Sequence, residues 1–319
     1  VQLKAKALRP GDVIGIIAPA SPPRSKERIA SSVKYFESLG YRVELGRHLR
    51  DGIDKPTYLA ASDKDRVSDI HAMFRSKRIR AIFYHRGGYG SIRLLDKLNY
   101  DLVRQYPKIL VGYSDATALF AALYKRAGLA SCFFGPMPGV DLWNNIDPFT
   151  EENFWRAITS TKPLGELPLS TNEGSLLNRR IALDVQGRMI GGNLTVFSSL
   201  LGTPYQPSFR GSIPFFEEID EKPRKIDAHL AQLRLAGAFD YAKAILLGQF
   251  TNCNTDTDAQ TLTLNEIFSE YFSKLRIPVA SNLPFGHEAR MWTLPFGAKI
   301  RVESIKNQTR ITIIERVLD

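Results

Sequence analysis

Apolar residues in the first 140 positions fall into short blocks that alternate between two periods. Val13-Ile14-Gly15-Ile16-Ile17-Ala18 is apolar without a break, as a strand buried on both faces of a parallel sheet should be. Pro19, Pro22 and Pro23 end it, and Ile29, Val33, Phe36 and Leu39 then recur at helical spacing over 25–39, with Gly40 as the stop. The same reading predicts strands over 41–45, 80–84 and 108–112. It predicts helices over 62–74, 91–98 and 115–127. Regular alternation of strand and helix predicts a doubly wound, mostly parallel sheet, an α/β fold.

The pattern changes after Gly139. Residues 141–183 hold Pro148, Pro163 and Pro168 among Ser, Thr and Asn, with one helix over 151–158, and read as a connecting region. From Asp184 on, strands are predicted over 187–190, 212–216, 244–247, 278–281, 299–302 and 310–315, and helices over 194–201, 226–236 and 264–274. The expected organisation is an N-terminal domain over 1–140, a connector over 141–183 and a C-terminal α/β domain with a mixed sheet over 184–319.

Composition narrows the class. The chain has 319 residues, of which 44% are hydrophobic and 24% charged, as in a globular protein rather than a disordered one. No apolar run nears the roughly 18 residues of a bilayer span, so no membrane insertion is expected. The net charge of +10 favours anionic small-molecule partners by steering. The densest basic run, Arg75-Ser76-Lys77-Arg78-Ile79-Arg80, closes a predicted helix, where cations complement the dipole. It lacks the interleaved aromatics of a nucleic-acid surface, so no nucleic-acid partner is expected. Cys132 and Cys253 are too few for a disulfide framework or a zinc site. The run Asn254-Thr255-Asp256-Thr257-Asp258-Ala259 begins like a calcium loop but lacks the sixth-position glycine, and Asn265 stands where the final glutamate belongs. Gly88-Tyr89-Gly90-Ser91-Ile92-Arg93 begins like a dinucleotide fingerprint but has Arg93 in place of its last glycine. Neither metal nor cofactor is expected.

The best chemical signal is Lys108-Ile109-Leu110-Val111-Gly112-Tyr113-Ser114-Asp115-Ala116-Thr117. A buried strand runs into Ser114 and a helix starts directly behind it, the context of a nucleophile elbow. That turn lifts the hydroxyl out of the sheet, and the helix N-terminus offers N–H groups to a developing oxyanion. Ser114 as a plain helix cap is the bland alternative. A serine nucleophile needs a base. His85, which ends a strand, and His287, in the loop Leu283-Pro284-Phe285-Gly286-His287-Glu288, are equal candidates by position. His48, His71 and His229 fall in loop or helix-surface positions. The orienting acid is expected where Ile213-Pro214-Phe215-Phe216-Glu217-Glu218 ends in two carboxylates. The order Ser114, Glu217, His287 is the serine–acid–histidine order of α/β-hydrolases.

An ordered set of segments carries a resemblance. Leu8-Arg9-Pro10-Gly11-Asp12, Ile17-Ala18-Pro19-Ala20-Ser21, Arg86-Gly87-Gly88-Tyr89-Gly90 and Gly112-Tyr113-Ser114-Asp115-Ala116-Thr117 come first. Ile190-Gly191-Gly192-Asn193-Leu194, Leu201-Gly202-Thr203-Pro204-Tyr205, Phe216-Glu217-Glu218 with Ile226-Asp227, and Leu283-Pro284-Phe285-Gly286-His287 follow. Together they resemble the LD-carboxypeptidases, or muramoyltetrapeptide carboxypeptidases, a family of Ser–Glu–His peptidases. The resemblance implies Ser114 as nucleophile, Glu217 rather than Glu218 as acid, and His287 rather than His85 as base. It implies oxyanion donors at the backbone N–H of Asp115 and of Gly87 or Gly88, with Arg86, Tyr89, Gly192 and Asn193 as substrate-binding candidates. For Arg86 the favoured role is a structural ion pair, with a cation for the substrate carboxylate as the other. The family has a flavodoxin- or amidotransferase-like N-terminal sheet and places its site between the domains.

The implied reaction is release of terminal D-alanine from peptidoglycan tetrapeptides by hydrolysis of an L–D amide, without cofactor, by a homodimer. The implied compartment is the cytoplasm. The periplasm is the alternative, because the sequence starts at Val1 rather than Met. A sister branch hydrolyses microcin C-type peptidyl-nucleotides, and a non-catalytic two-domain sugar or peptide binder is the reading from a different class. Gln232-Leu233-Arg234-Leu235-Ala236-Gly237 resembles the murein branch.

Overall fold

A computed structural model describes residues 2–55, 57–178, 184–254, 262–305 and 308–319. The chain divides into two compact units, one of Val1–Lys162, Trp292–Phe296 and Arg316–Asp319, the other of Pro163–Met291 and Gly297–Glu315.

The first unit opens with β1 (Val13–Ile17), α1 (Lys26–Ser38), β2 (Arg42–Leu45), α2 (Asp63–Arg75) and β3 (Ile79–Tyr84). A 3₁₀ turn (Ser91–Lys97), α3 (Tyr100–Gln105), β4 (Ile109–Gly112), α4 (Ala116–Ala127), β5 (Cys132–Phe134) and α5 (Pro148–Thr159) follow. The strand order is β2-β1-β3-β4-β5, all parallel. The order reverses between β1 and β3, which makes the C-terminal ends of those strands a topological switch point, where doubly wound sheets bind ligands. Buried side chains at every position of β1 and β4 explain their unbroken apolar runs. Ser25 and Ser62 cap α1 and α2 by accepting from Arg28 and Asp65 N–H, so both starts lie one residue after the serines that mark them.

The second unit contains β6 (Gly165–Glu166), β7 (Ser175–Leu176), β8 (Asp184–Asn193), α6 (Leu194–Ser198), β9 (Ser212–Ile219) and α7 (Pro223–Leu235). It continues through α8 (Ala238–Tyr241), β10 (Ile245–Thr251), α9 (Leu264–Phe272) and β11 (Val279–Ser281). The chain then supplies β12 (Leu294–Pro295), which pairs antiparallel with β5 in the first unit's sheet. It returns for β13 (Lys299–Ile305) and β14 (Gln308–Ile313). The second sheet runs β6-β14-β13-β8-β9-β10-β11-β7, with β8 to β11 mutually parallel and the flanking pairs antiparallel. It is the mixed sheet expected.

The observed division differs from boundaries at 140 and 183. The helix α5 belongs to the first unit, because Phe154 meets Phe83 edge-on at 5.9 Å and Trp155 stacks on Tyr41 at 5.2 Å. The rest of the expected connector contributes β6 and β7 to the second sheet. Among the described residues no helix is long and apolar enough to cross a membrane.

Candidate active site

The sharp turn after β4 lies in the first unit. Ser114 has φ of 61°, in the left-handed region, and α4 starts two residues later. Thr117 N–H donates to Ser114 O at 3.0 Å, and Ala116 N–H to Tyr113 O at 3.2 Å, so the first turn of α4 forms directly on the serine. Asp115 precedes the helix without any side-chain capping bond. Its N–H makes no hydrogen bond among the described residues, and neither do the N–H groups of Gly87 and Gly88. A methyl group on Gly87 would lie 2.9 Å from Ser114 Cβ, 3.0 Å from its Oγ and 3.5 Å from Asp115 N. Only glycine admits this approach, which puts the turn after β3 against the serine. Gly88 needs its φ of +105° for the same turn.

His85 is close in sequence but sealed. Its side chain is fully buried against Gly139, with neither ring nitrogen partnered among the described residues. Burial, with the charges of Arg86 and Arg28, pushes its pKa down to about 4. Arg86 is half-buried and donates to Pro22 O at 3.3 Å. It has no carboxylate partner among the described residues, so the structural ion pair is not what the fold provides. Burial and the nearby Arg24 and Arg28 lower its pKa. Tyr89 is exposed, with its ring centroid 5.8 Å from that of Tyr58.

The acid and the histidine meet in the second unit. His287 Nδ1 lies 2.7 Å from Glu217 Oε2, and Glu217 is fully buried. Strand alternation explains the pairing. Phe215 and Glu217 share one face of β9, and Phe215 meets Phe285 edge-on at 5.7 Å, two residues before His287. Gly286, at φ +136°, brings the chain past Glu217. The loop is pinned to β10, where Gln249 N–H donates to Phe285 O at 2.9 Å and Thr251 Oγ1 to Glu288 Oε1 at 2.7 Å. With the imidazole proton on Nδ1 and donated to Glu217, an imidazole held in this way can take a proton at Nε2, and a neighbouring carboxylate stabilises the resulting cation.

Phe216 and Glu218 occupy the opposite face of β9. Phe216 packs on Phe197 of α6 at 5.6 Å. Glu218 accepts from Asn193 Nδ2 at 2.7 Å, Thr195 N–H at 2.9 Å, Thr195 Oγ1 at 2.6 Å and its neighbour Ile219 N–H at 3.0 Å. Burial, with the adjacent Glu217 charge, raises its pKa. Asn193 is buried, and its Oδ1 caps α6 by accepting from Val196 N–H at 3.1 Å. Among the substrate-binding candidates, then, Asn193 has a framework role, and Gly192 is buried in β8 beside Phe216 of β9.

The other histidines are engaged elsewhere or half-buried. His48 pairs with Asp51 at 2.7 Å, His71 Nε2 accepts from Asn99 N–H at 2.9 Å, and burial lowers the pKa of His229. The run beginning at Asn254 lies largely outside the described residues, and no metal-binding group of three His, Cys, Asp or Glu occurs among the described ones. Sequence reading missed Ser21 and Arg66, which hold the glycine turn. Pro19 and Ser21 in the loop after β1 were the available signal.

Comparison with known proteins follows the same division. The LD-carboxypeptidase N-terminal domain matches residues 14–135, and the LD-carboxypeptidase C-terminal domain matches residues 186–302. A probable murein peptide carboxypeptidase of Bacillus subtilis is 35% identical over 297 residues, covering 93% of this chain and 90% of the relative. The crystal structure of a muramoyltetrapeptide carboxypeptidase from Oxalobacter formigenes has a TM-score of 0.83 at 29% identity, covering 95% of this chain and 99% of its own. A structure of MccF in complex with glutamyl sulfamoyl guanosine has a TM-score of 0.88 at 26% identity, covering 99% and 100%.

Proposed function

This chain belongs to the LD-carboxypeptidase family, and from that membership we propose that it is a serine carboxypeptidase removing terminal D-alanine from peptidoglycan tetrapeptides. Ser114 Oγ attacks the carbonyl carbon of the L–D amide while His287 Nε2 accepts its proton. The N–H groups of Asp115 and of Gly88 or Gly87 receive the oxyanion, and the developing charge is where such donors act most strongly. Collapse breaks the C–N bond, and His287 returns the proton to the departing D-alanine amine. Water, deprotonated by the same imidazole, then hydrolyses the acyl-enzyme. Glu217 keeps the imidazole oriented throughout.

The observation that carries this reading is Ser114 itself. A serine held at φ 61° between a buried strand and a helix, beside three N–H groups without acceptors among the described residues, is built for attack on a carbonyl. Arg86, alongside the glycine turn, supplies a cation for the free carboxylate of the leaving residue. The +10 net charge suits a substrate bearing several carboxylates.

Incubation with an L–D tetrapeptide followed by mass analysis tests it. The wild type should yield tripeptide and D-alanine, and Ser114→Ala and His287→Ala should each lose about 10⁴-fold or more in kcat while staying folded. An intact tetrapeptide, or a turnover that survives Ser114→Ala, would sink the reading. The likeness to MccF makes an acyl-sulfamoyl nucleoside the competing substrate, and a higher kcat/KM for it would move the chain to that branch.

A further inference from the structure

The glycine turn beside Ser114 is held by side chains that the proposed reaction does not use. Ser21 N–H donates to Gly87 O at 3.3 Å, while Ser21 Oγ accepts from Tyr89 N–H at 3.2 Å and donates to Tyr58 O at 2.7 Å. The Asp115 carboxylate, fully desolvated, accepts from Gly90 N–H at 3.2 Å and from Ser91 N–H at 2.9 Å. Arg66 Nη1 donates to Gly90 O at 3.0 Å and to Pro19 O, and Nη2 pairs with Asp63 Oδ1 at 2.6 Å.

Peptide planarity turns these bonds into aim. Fixing Gly87 O fixes the direction of the Gly88 N–H on the other end of the same peptide. The Gly90–Ser91 peptide is clamped at both ends, its carbonyl by Arg66 and its N–H by Asp115. Glycine gives the turn close approach to Ser114 but no stiffness of its own. Arg66 is 2% exposed, and its Nε has no partner among the described residues. Burying a guanidinium is costly, and its single carboxylate partner, Asp63, with two backbone carbonyls leaves Nε unsatisfied among the described residues. An apolar residue would fill the same space more cheaply, but it could not orient Gly90.

We propose that the Asp115 carboxylate and the Arg66 guanidinium are positioning residues for the oxyanion donors, clamping the glycine turn so that its open N–H groups are aimed before substrate arrives. Asp115 thus serves twice, its N–H as a donor and its side chain as the clamp on the turn that carries the other donor. The inference rests on Ser114 being the nucleophile.

Asp115→Asn keeps the size and replaces one acceptor oxygen with an amide NH2, a donor that faces a backbone N–H. The expected result is a fall in kcat of about 10²-fold, the scale of losing one oxyanion donor. KM should stay within about threefold, since ground-state binding is not what the donors serve. Phosphonylation of Ser114 by a fluorophosphonate should slow with kcat, and the midpoint of the pH–kcat/KM profile should not move, because the His287–Glu217 pair is untouched. Should Asp115→Asn fail to fold, Arg66→Lys and Ser21→Ala are read by the same criteria. A kcat within about threefold of wild type, a loss confined to KM, or a shifted pH midpoint would overturn the proposal. Undiminished turnover or fluorophosphonate labelling in Ser114→Ala would instead overturn the underlying assignment of the nucleophile.

Discussion

Among the described residues, five that are not glycine have positive φ: Asn145, Asp220, Asn252, Asn282 and Ser114. Asn and Asp tolerate the left-handed region through local hydrogen bonding, and serine has less reason to enter it. Strain at one such residue is of order 1–3 kcal/mol and persists where the surroundings enforce it. Here β4 and α4 do so from either side. His85 carries a different residue-scale consequence. Its folded pKa of about 4 lies below the ordinary histidine value, so the folded state resists its protonation. The stability associated with this group is therefore complete above about pH 6.5 and is lost as pH falls toward 4, up to about 3 kcal/mol. In His85→Phe, urea unfolding measured across that range should lose this part of the pH slope. An unchanged slope would show that His85 does not couple folding to pH.

At the scale of elements, β9 gives each face a task. Phe215 and Glu217 serve the histidine loop; Phe216 and Glu218 serve α6. The run Ile213 to Glu218 was legible as an apolar strand with acids at its end, but the strand continues through Ile219. Two adjacent carboxylates look solvated in a sequence; they are buried here because each has a partner in another segment, which local pattern does not contain. Glu218→Ala would leave the donors on Asn193 and Thr195 without their acceptor. It should destabilise the protein by about 3 kcal/mol in urea unfolding, since each stranded buried donor costs roughly 1–3 kcal/mol. A change below about 0.5 kcal/mol would mean that water replaces the carboxylate there.

At the scale of the molecule, long periodic segments were readable and short ones were not. The strands β1 to β4 and the helices α1, α2 and α4 follow from apolar periodicity and caps. Two-residue strands such as β6, β7 and β12 have no period to read, so the return of the chain to the first sheet at Leu294–Pro295 was invisible. The candidate site was legible where chemistry and backbone coincide, at Ser114 and the glycine turn. The choice of His287 over His85 needed either the family resemblance or the Glu217 contact. Arg66 gave no sign, because its role depends on a carbonyl 24 residues away in sequence.

The central claim is that Ser114 acts on an amide whose leaving residue carries a free carboxylate. The most direct measurement compares kcat/KM for an L–D tetrapeptide with a free D-alanine carboxylate and for the same peptide ending in a carboxamide. The account predicts a fall of about 10-fold or more on amidation, because donors placed for a charged group lose it. Equal rates on the two peptides would contradict it and identify the enzyme as an endopeptidase or amidase.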